Sequence, residues 1–215
     1  FSAQWTSACF RYYQLTGDID LLRELLSYMQ RNMSVFEKYL TEDGITNCDA
    51  WEFIDWGYVA DTGDVDTGAN MHYLEAFRNA AAWCLALGED SVAGCYDDIS
   101  ARLEKIIRKR LNAYPAGYHK SALGLRLGFF ENEAKENAIK SIKRHILSCY
   151  PNNPDAPRLS CPSTNNPQLI TPYFAHFAFP CLIENGEMDF VLDQYRRCWG
   201  WAIDHGLTTC PEVFD

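Results

Sequence analysis

No basic run longer than Arg108-Lys109-Arg110 occurs in the 215-residue chain, and its formal net charge is -10. An acidic surface repels phosphate backbones, which argues against nucleic acid as a partner. No apolar stretch is long enough to span a bilayer, so no membrane partner is expected. Phe1 to Trp5 lack a positive n-region, and no signal peptide is read there. The 9 cysteines include no CxxC pair, which removes the usual spacing of a zinc or thioredoxin-type site and leaves no metal expected. Neither GxGxxG nor GKS or GKT is present, so no nucleotide cofactor is implied. Alternating strand runs are missing too.

What is present is a folding composition, with 47% hydrophobic and 22% charged residues. Aromatics reach 14%, including 6 Trp and 12 Tyr, which serve either a packed core or a sugar-binding cleft. Most cysteines fall in apolar helical patterns, where a free thiol behaves as a small hydrophobe. The chain starts without Met and stops at Val213-Phe214-Asp215, so both ends read as cut. Such ends arise by trimming or in a segment of a larger protein; the second is expected, with residues 1–215 as one segment incomplete at both ends and the missing flanking parts as its partners.

Helical periodicity dominates. Residues 2–15 read as a helix ended by Gly17-Asp18, and residues 19–40 as a long one with Leu22, Leu25, Leu26, Met29, Met33, Phe36 and Leu40 on one stripe. Further helices are expected over 70–87, 91–111, 121–129, 133–147, 171–184 and 188–203. Thr171 suits an N-cap and Pro172 the first turn, while Pro180 should disturb that helix. The basic face Arg102, Lys105, Arg108, Lys109 and Arg110 reads as solvated surface. Antiparallel hairpins stacked side by side give this rhythm, so the fold class is all-α. The long loops 45–67, 149–168 and 206–215 hold acids and aromatics that the helices do not require.

Two clusters could carry chemistry. In Trp51-Glu52-Phe53-Ile54-Asp55-Trp56, two indoles flank two acids. They form either a sugar platform with hydroxyl-binding carboxylates, or a capped turn packed on its own core. The aspartates of the 61–66 stretch read as a solvated loop without a full calcium pattern. In the second cluster, Thr208-Thr209-Cys210-Pro211-Glu212, Glu212 is either a general base or a surface residue of a chain-end loop. His176, inside Tyr173-Phe174-Ala175-His176-Phe177, reads as a cleft-wall or core residue, and no Ser-His-Asp order stands out.

At these clusters the chain resembles the bacterial α-L-rhamnosidases, six-hairpin enzymes of glycoside hydrolase family 78. The resemblance rests on Tyr12-Tyr13-Gln14-Leu15-Thr16-Gly17-Asp18, Trp51-Glu52-Phe53-Ile54-Asp55-Trp56, Ile170-Thr171-Pro172-Tyr173-Phe174, Trp199-Gly200-Trp201-Ala202 and Gly206-Leu207-Thr208-Thr209 with Glu212. It implies a segment of an (α/α)6 barrel and inverting hydrolysis of terminal α-L-rhamnosides from a carbohydrate substrate. Glu212 would be the catalytic base, with Trp51, Asp55, Trp56 and His176 at the sugar subsite. The family's general acid is expected upstream of Phe1 and a further His beyond Asp215, leaving the segment inactive alone unless Glu52 or Asp55 substitutes. Two other readings are a carbohydrate-binding relative without the chemistry, and an unsaturated glucuronyl hydrolase. The latter needs basic residues around the site, and the loops show few.

Overall fold

The computed structural model describes residues 1–48, 52–113, 116–159 and 168–215. Trp51 lies outside the described residues. The chain divides into two compact units, Phe1–Phe53 with Ala60–Pro115, and Ile54–Val59 with Ala116–Asp215.

The first unit contains α1 (Ser2–Thr16), α2 (Ile19–Glu37), a short hairpin of β1 (Leu40–Thr41) and β2 (Gly44–Ile45), α3 (Thr67–Leu87) and α4 (Asp90–Ala113). Asp18 caps α2 by accepting from the Leu21 amide at 3.1 Å. Of the expected stripe, Leu22, Met29, Met33 and Phe36 are buried. α3 packs against α1, α2 and α4 and has core residues on all sides, among them Met71, Leu74, Phe77 and Trp83. Fully burying side chains of this size contributes about 1.5–3 kcal/mol each. The Trp83 indole donates to the Leu22 carbonyl at 3.0 Å, so its polar edge enters the core satisfied. Gly44, at φ 129°, leaves no space for a side chain, because a Cβ there would lie 2.9 Å from Asn70 Oδ1. Asn70 in turn accepts from the Ile45 amide at 2.8 Å and fastens the hairpin to α3.

Three expectations fail in this unit. Asp66 is buried and caps α3, accepting from the Ala69 amide at 2.8 Å, which starts the helix at Thr67 rather than at 70. Asp61 accepts from the Arg110 guanidinium at 3.1 Å and also from the Thr67 hydroxyl. The 61–66 stretch is therefore not simply a solvated loop. Arg110 likewise leaves the solvated basic face, because its cation offsets the cost of sinking the Asp61 carboxylate.

The second unit contains α5 (Tyr118–Arg126), α6 (Asn132–Ser148), α7 (Pro172–Glu184) and α8 (Met188–Gln194), followed by a π-helical turn (Tyr195–Trp199) and α9 (Gly200–Asp204). Ala138, Ile142 and Ile146 form the buried stripe of α6, as their spacing predicts. Pro180 sits inside α7 without ending it. Proline has no amide to donate to the carbonyl four residues back, that of His176, which is an exposed residue between buried neighbours. The single helix expected over 188–203 is interrupted by the π turn, whose first and last residues, Tyr195 and Trp199, both rest on Phe179 at ring distances of 5.2 and 5.6 Å.

Among the described residues the strands are confined to the β1–β2 hairpin, and the fold class is all-α. No helix of the described residues is long and apolar enough to cross a membrane. Cys84, Cys149, Cys181 and Cys198 are buried free thiols, Cys9 and Cys48 are half-buried, and Cys95 and Cys210 are exposed.

Candidate functional site

The site is built inside the second unit from the Ile54–Val59 loop, α5, the entry to α7 and the stretch after α9. Asp55 closes a tight turn, its carbonyl accepting from the Tyr58 amide at 3.3 Å. Gly57 takes φ 72° within that turn, and a Cβ there would come within 3.3 Å of the Leu169 Cβ. The turn leaves Trp56 half-buried at the protein surface, while Ile54 and Asp55 point inward.

The Asp55 carboxylate is 6% exposed and has both oxygens partnered. Oδ1 accepts from the Thr171 hydroxyl at 2.7 Å, and Oδ2 meets His119 Nε2 at 2.9 Å. An ionised carboxylate only accepts, so His119 presents its Nε2 proton to it. Thr171 serves twice: as the N-cap of α7 its hydroxyl oxygen accepts from the Phe174 amide at 2.9 Å, while its proton goes to Asp55. His119 is itself buried, flanked edge-on by Phe174 at 4.5 Å and Tyr58 at 5.3 Å. Lys120, the next residue of α5, places its ammonium 5.7 Å from the Tyr58 ring centre.

Glu212 meets this loop directly, its Oε1 accepting from the Trp56 indole N–H at 2.9 Å. The indole can only donate, so the contact orients the carboxylate. Among the described residues no side chain or amide bonds Oε2, and Glu212 is exposed. The result is a carboxylate with one oxygen held and the other open to solvent. Its backbone is anchored two residues on, where the Phe214 amide donates to the Ile170 carbonyl at 3.4 Å and the Phe214 ring is buried against Trp199 at 5.1 Å.

Beneath the site, Tyr118 stacks on His145 with ring centres 4.4 Å apart. His145 Nε2 bonds the Leu169 carbonyl at 2.9 Å. Burial pushes the His145 pKa below its ordinary value, partly offset by that carbonyl. Burial also raises the Tyr118 phenol well above the usual range, with the nearby Asp55 charge adding to the shift.

Residues 2–157 match the bacterial alpha-L-rhamnosidase 6 hairpin glycosidase domain. The chain belongs to this family. As a rhamnosidase-like glycosidase domain it is similar in structure to a GH78 family rhamnosidase of Bacillus sp. GL1, at 18% identity and TM-score 0.69, with 97% of this chain and 22% of that one covered. It is also similar to a rhamnosidase from Klebsiella oxytoca with rhamnose bound, at 16% identity and TM-score 0.72, with 99% of this chain and 40% of that one covered. The rhamnosidase-like chain thus spans less than half the length of either. No curated protein matches it by sequence.

Within this rhamnosidase-like domain, Asp55 and Trp56 are neighbours on one loop, Trp56 bonding Glu212 while Asp55 bonds His119 and Thr171. His176 does not join it: it is exposed on α7, with its ring against Phe177 at 5.1 Å. Sequence reading missed His119 and Thr171 as site residues. Thr171 was visible as a helix cap, but its second bond reaches 116 positions back to Asp55, and no local pattern encodes that. Among the described residues no group of three or more His, Cys, Asp or Glu side chains is placed to hold a metal ion.

Proposed function

We propose that this domain takes part in inverting hydrolysis of α-L-rhamnosides, with Glu212 as the general base. The observation that carries the reading is the 2.9 Å bond between Glu212 and the Trp56 indole. A general base needs a carboxylate fixed in direction yet accessible to water. Holding Oε1 on the indole fixes the direction, and the open Oε2 supplies the acceptor for a water proton. In an inverting glycosidase a separate carboxylic acid protonates the leaving oxygen, about 6.5–9.5 Å from the base, leaving room for that water. Trp56 supplies a flat apolar face beside the base, and a 6-deoxy sugar has an apolar methyl group to lay against it.

Neither Asp55 nor Glu52 fits the acid role. Asp55 is committed to His119 and Thr171, and Glu52 accepts from the Tyr73 hydroxyl at 2.6 Å and the Cys48 amide at 3.3 Å. The family membership and the rhamnose-bound Klebsiella oxytoca relative support rhamnosides as the substrate class.

The test is hydrolysis of an aryl α-L-rhamnoside by the full-length protein that carries this domain and by its Glu212→Gln variant, with the product anomer followed by NMR. The expected outcome is β-L-rhamnose as first product and a loss of kcat of about 100-fold or more in the variant, the usual scale for removing a general base. A variant that turns over at the wild-type rate removes Glu212 from the mechanism. A full-length wild type that binds rhamnose without cleaving the rhamnoside points to a binding module instead.

A further inference from the structure

The loop that presents Trp56 and the chain end that presents Glu212 hang from one stretch, Leu169 to Thr171. Thr171 bonds Asp55 through its side chain at 2.7 Å, immediately before Trp56 in sequence. Ile170 bonds Phe214 through its carbonyl at 3.4 Å, two residues after Glu212. Leu169 packs on Gly57 and is itself held by His145 through a 2.9 Å bond to its carbonyl. The indole donor and its carboxylate acceptor are thereby referenced to adjacent residues of a single strand of chain.

Asp55 is the joint on the loop side. Each of its oxygens is engaged by a protein side chain and it is 6% exposed, so it offers a sugar hydroxyl little access. A carboxylate this buried persists only where its partners are in place. We infer that Asp55 is a positioning residue, clamped between His119 and Thr171, which sets the direction of Trp56 and through it the orientation of Glu212, and that it does not bind the sugar. This rests on the assignment of Glu212 as base. It replaces a sugar-binding role for Asp55 with a mechanical one, and it makes His119 and Thr171 determinants of turnover although neither touches Glu212.

Charge and geometry separate in two substitutions. Asp55→Asn keeps an oxygen for the Thr171 hydroxyl and offers its amide to His119 in the opposite tautomer, so the clamp survives without the charge. Asp55→Ala removes the clamp. The readouts are the indole N–H resonance of Trp56 in a 1H–15N spectrum, assigned by its loss in Trp56→Phe, together with rhamnoside kcat and the melting temperature. In Asp55→Ala the Trp56 resonance is expected to shift or broaden, and kcat to fall roughly 100-fold, the scale of a small misplacement of a reacting group. In Asp55→Asn the resonance is expected to stay in place, with kcat within about tenfold of wild type, far short of the loss from misplacing the base.

An unmoved Trp56 resonance in folded Asp55→Ala overturns the inference. So does an Asp55→Asn protein as inactive as the alanine variant with Trp56 in place, which assigns the charge itself a direct role. If the alanine variant does not fold, Thr171→Val against Thr171→Ser makes the same comparison from the other side of the clamp: the valine protein should shift the Trp56 resonance and the serine protein should restore it. If the full-length wild type cleaves no rhamnoside, the proposed function fails while the indole resonance still decides the positioning role.

Discussion

At the scale of single residues, the site depends on groups whose roles are set by what holds them. His145 is the most informative titrating example. Burial pushes its pKa below the ordinary value of 6.5, so charging it costs the folded state more than the unfolded one. The folded pKa being the depressed one, the stability His145 contributes is present above its unfolded pKa and is lost as pH falls through the folded value. Melting temperature should therefore decline more steeply for the wild type than for His145→Gln as pH falls from about 7 to 5, the range around an unperturbed histidine. Equal slopes for the two proteins would remove His145 from the acid response. The same residue scale shows where reading the sequence ends. Trp56 and Asp55 are visible as candidates because indoles and acids in loops lack a core explanation, and Glu212 only through the family resemblance. The partners of Asp55 are not: His119 and Thr171 lie 64 and 116 positions from Asp55, and the three-dimensional path of the chain alone brings them together.

At the scale of elements, periodicity carried most of the information. The buried stripes of α2 and α6 fall where 3.6-residue spacing puts them, because an apolar face is the dominant reason those segments are helical at all. Boundaries were less legible. α3 begins earlier than its apolar pattern because Asp66 spends its side chain on a cap, and the π turn after α8 has no signature in hydrophobic spacing. Polar ties between elements are likewise invisible in periodicity. Glu104 of α4 accepts from Arg78 of α3 at 2.7 Å and from Arg108 of its own helix at 2.8 Å. The Arg108 hydrogen bond, assisted by Arg78, lowers the Glu104 pKa below its ordinary 4.5 despite some burial. Its contribution to stability is then present above that value and lost as pH falls below it. Glu104→Gln should destabilise the protein at neutral pH by at most about 1 kcal/mol, since the ions are partly solvated. Urea unfolding at decreasing pH should find that difference shrinking; a difference independent of pH would mean that the carboxylate charge is not what links α3 to α4.

At the scale of the whole molecule, thiol placement gives a global test of packing. Burial lifts the Cys149 and Cys198 thiols to about 12 and Cys84 to about 11, so few of these are thiolates near neutral pH, and their side chains are out of reach of reagent. Cys95 and Cys210 stand in solvent. Alkylation of the native protein at about pH 8, read by peptide mass spectrometry, should label Cys95 and Cys210 first and Cys149 and Cys198 only on unfolding. Early labelling of Cys149 or Cys198 would show that the second unit opens under native conditions. The all-α class and family membership were readable from the chain because both are properties of the whole pattern, in which many weak local signals agree.

The stretch from Leu169 to Thr171 also constrains what this chain can change. Two of its bonds, those to His145 and Phe214, use backbone carbonyls and are therefore indifferent to which side chain stands at the position. Chain length is another matter. One inserted residue displaces its neighbours along an extended chain by roughly 3.3–3.6 Å, more than a hydrogen bond can stretch. Substitutions at Leu169 or Ile170 should thus leave both carbonyl bonds in place and cost only packing, since both side chains are buried, while a single insertion or deletion there would pull indole and carboxylate out of register at one stroke.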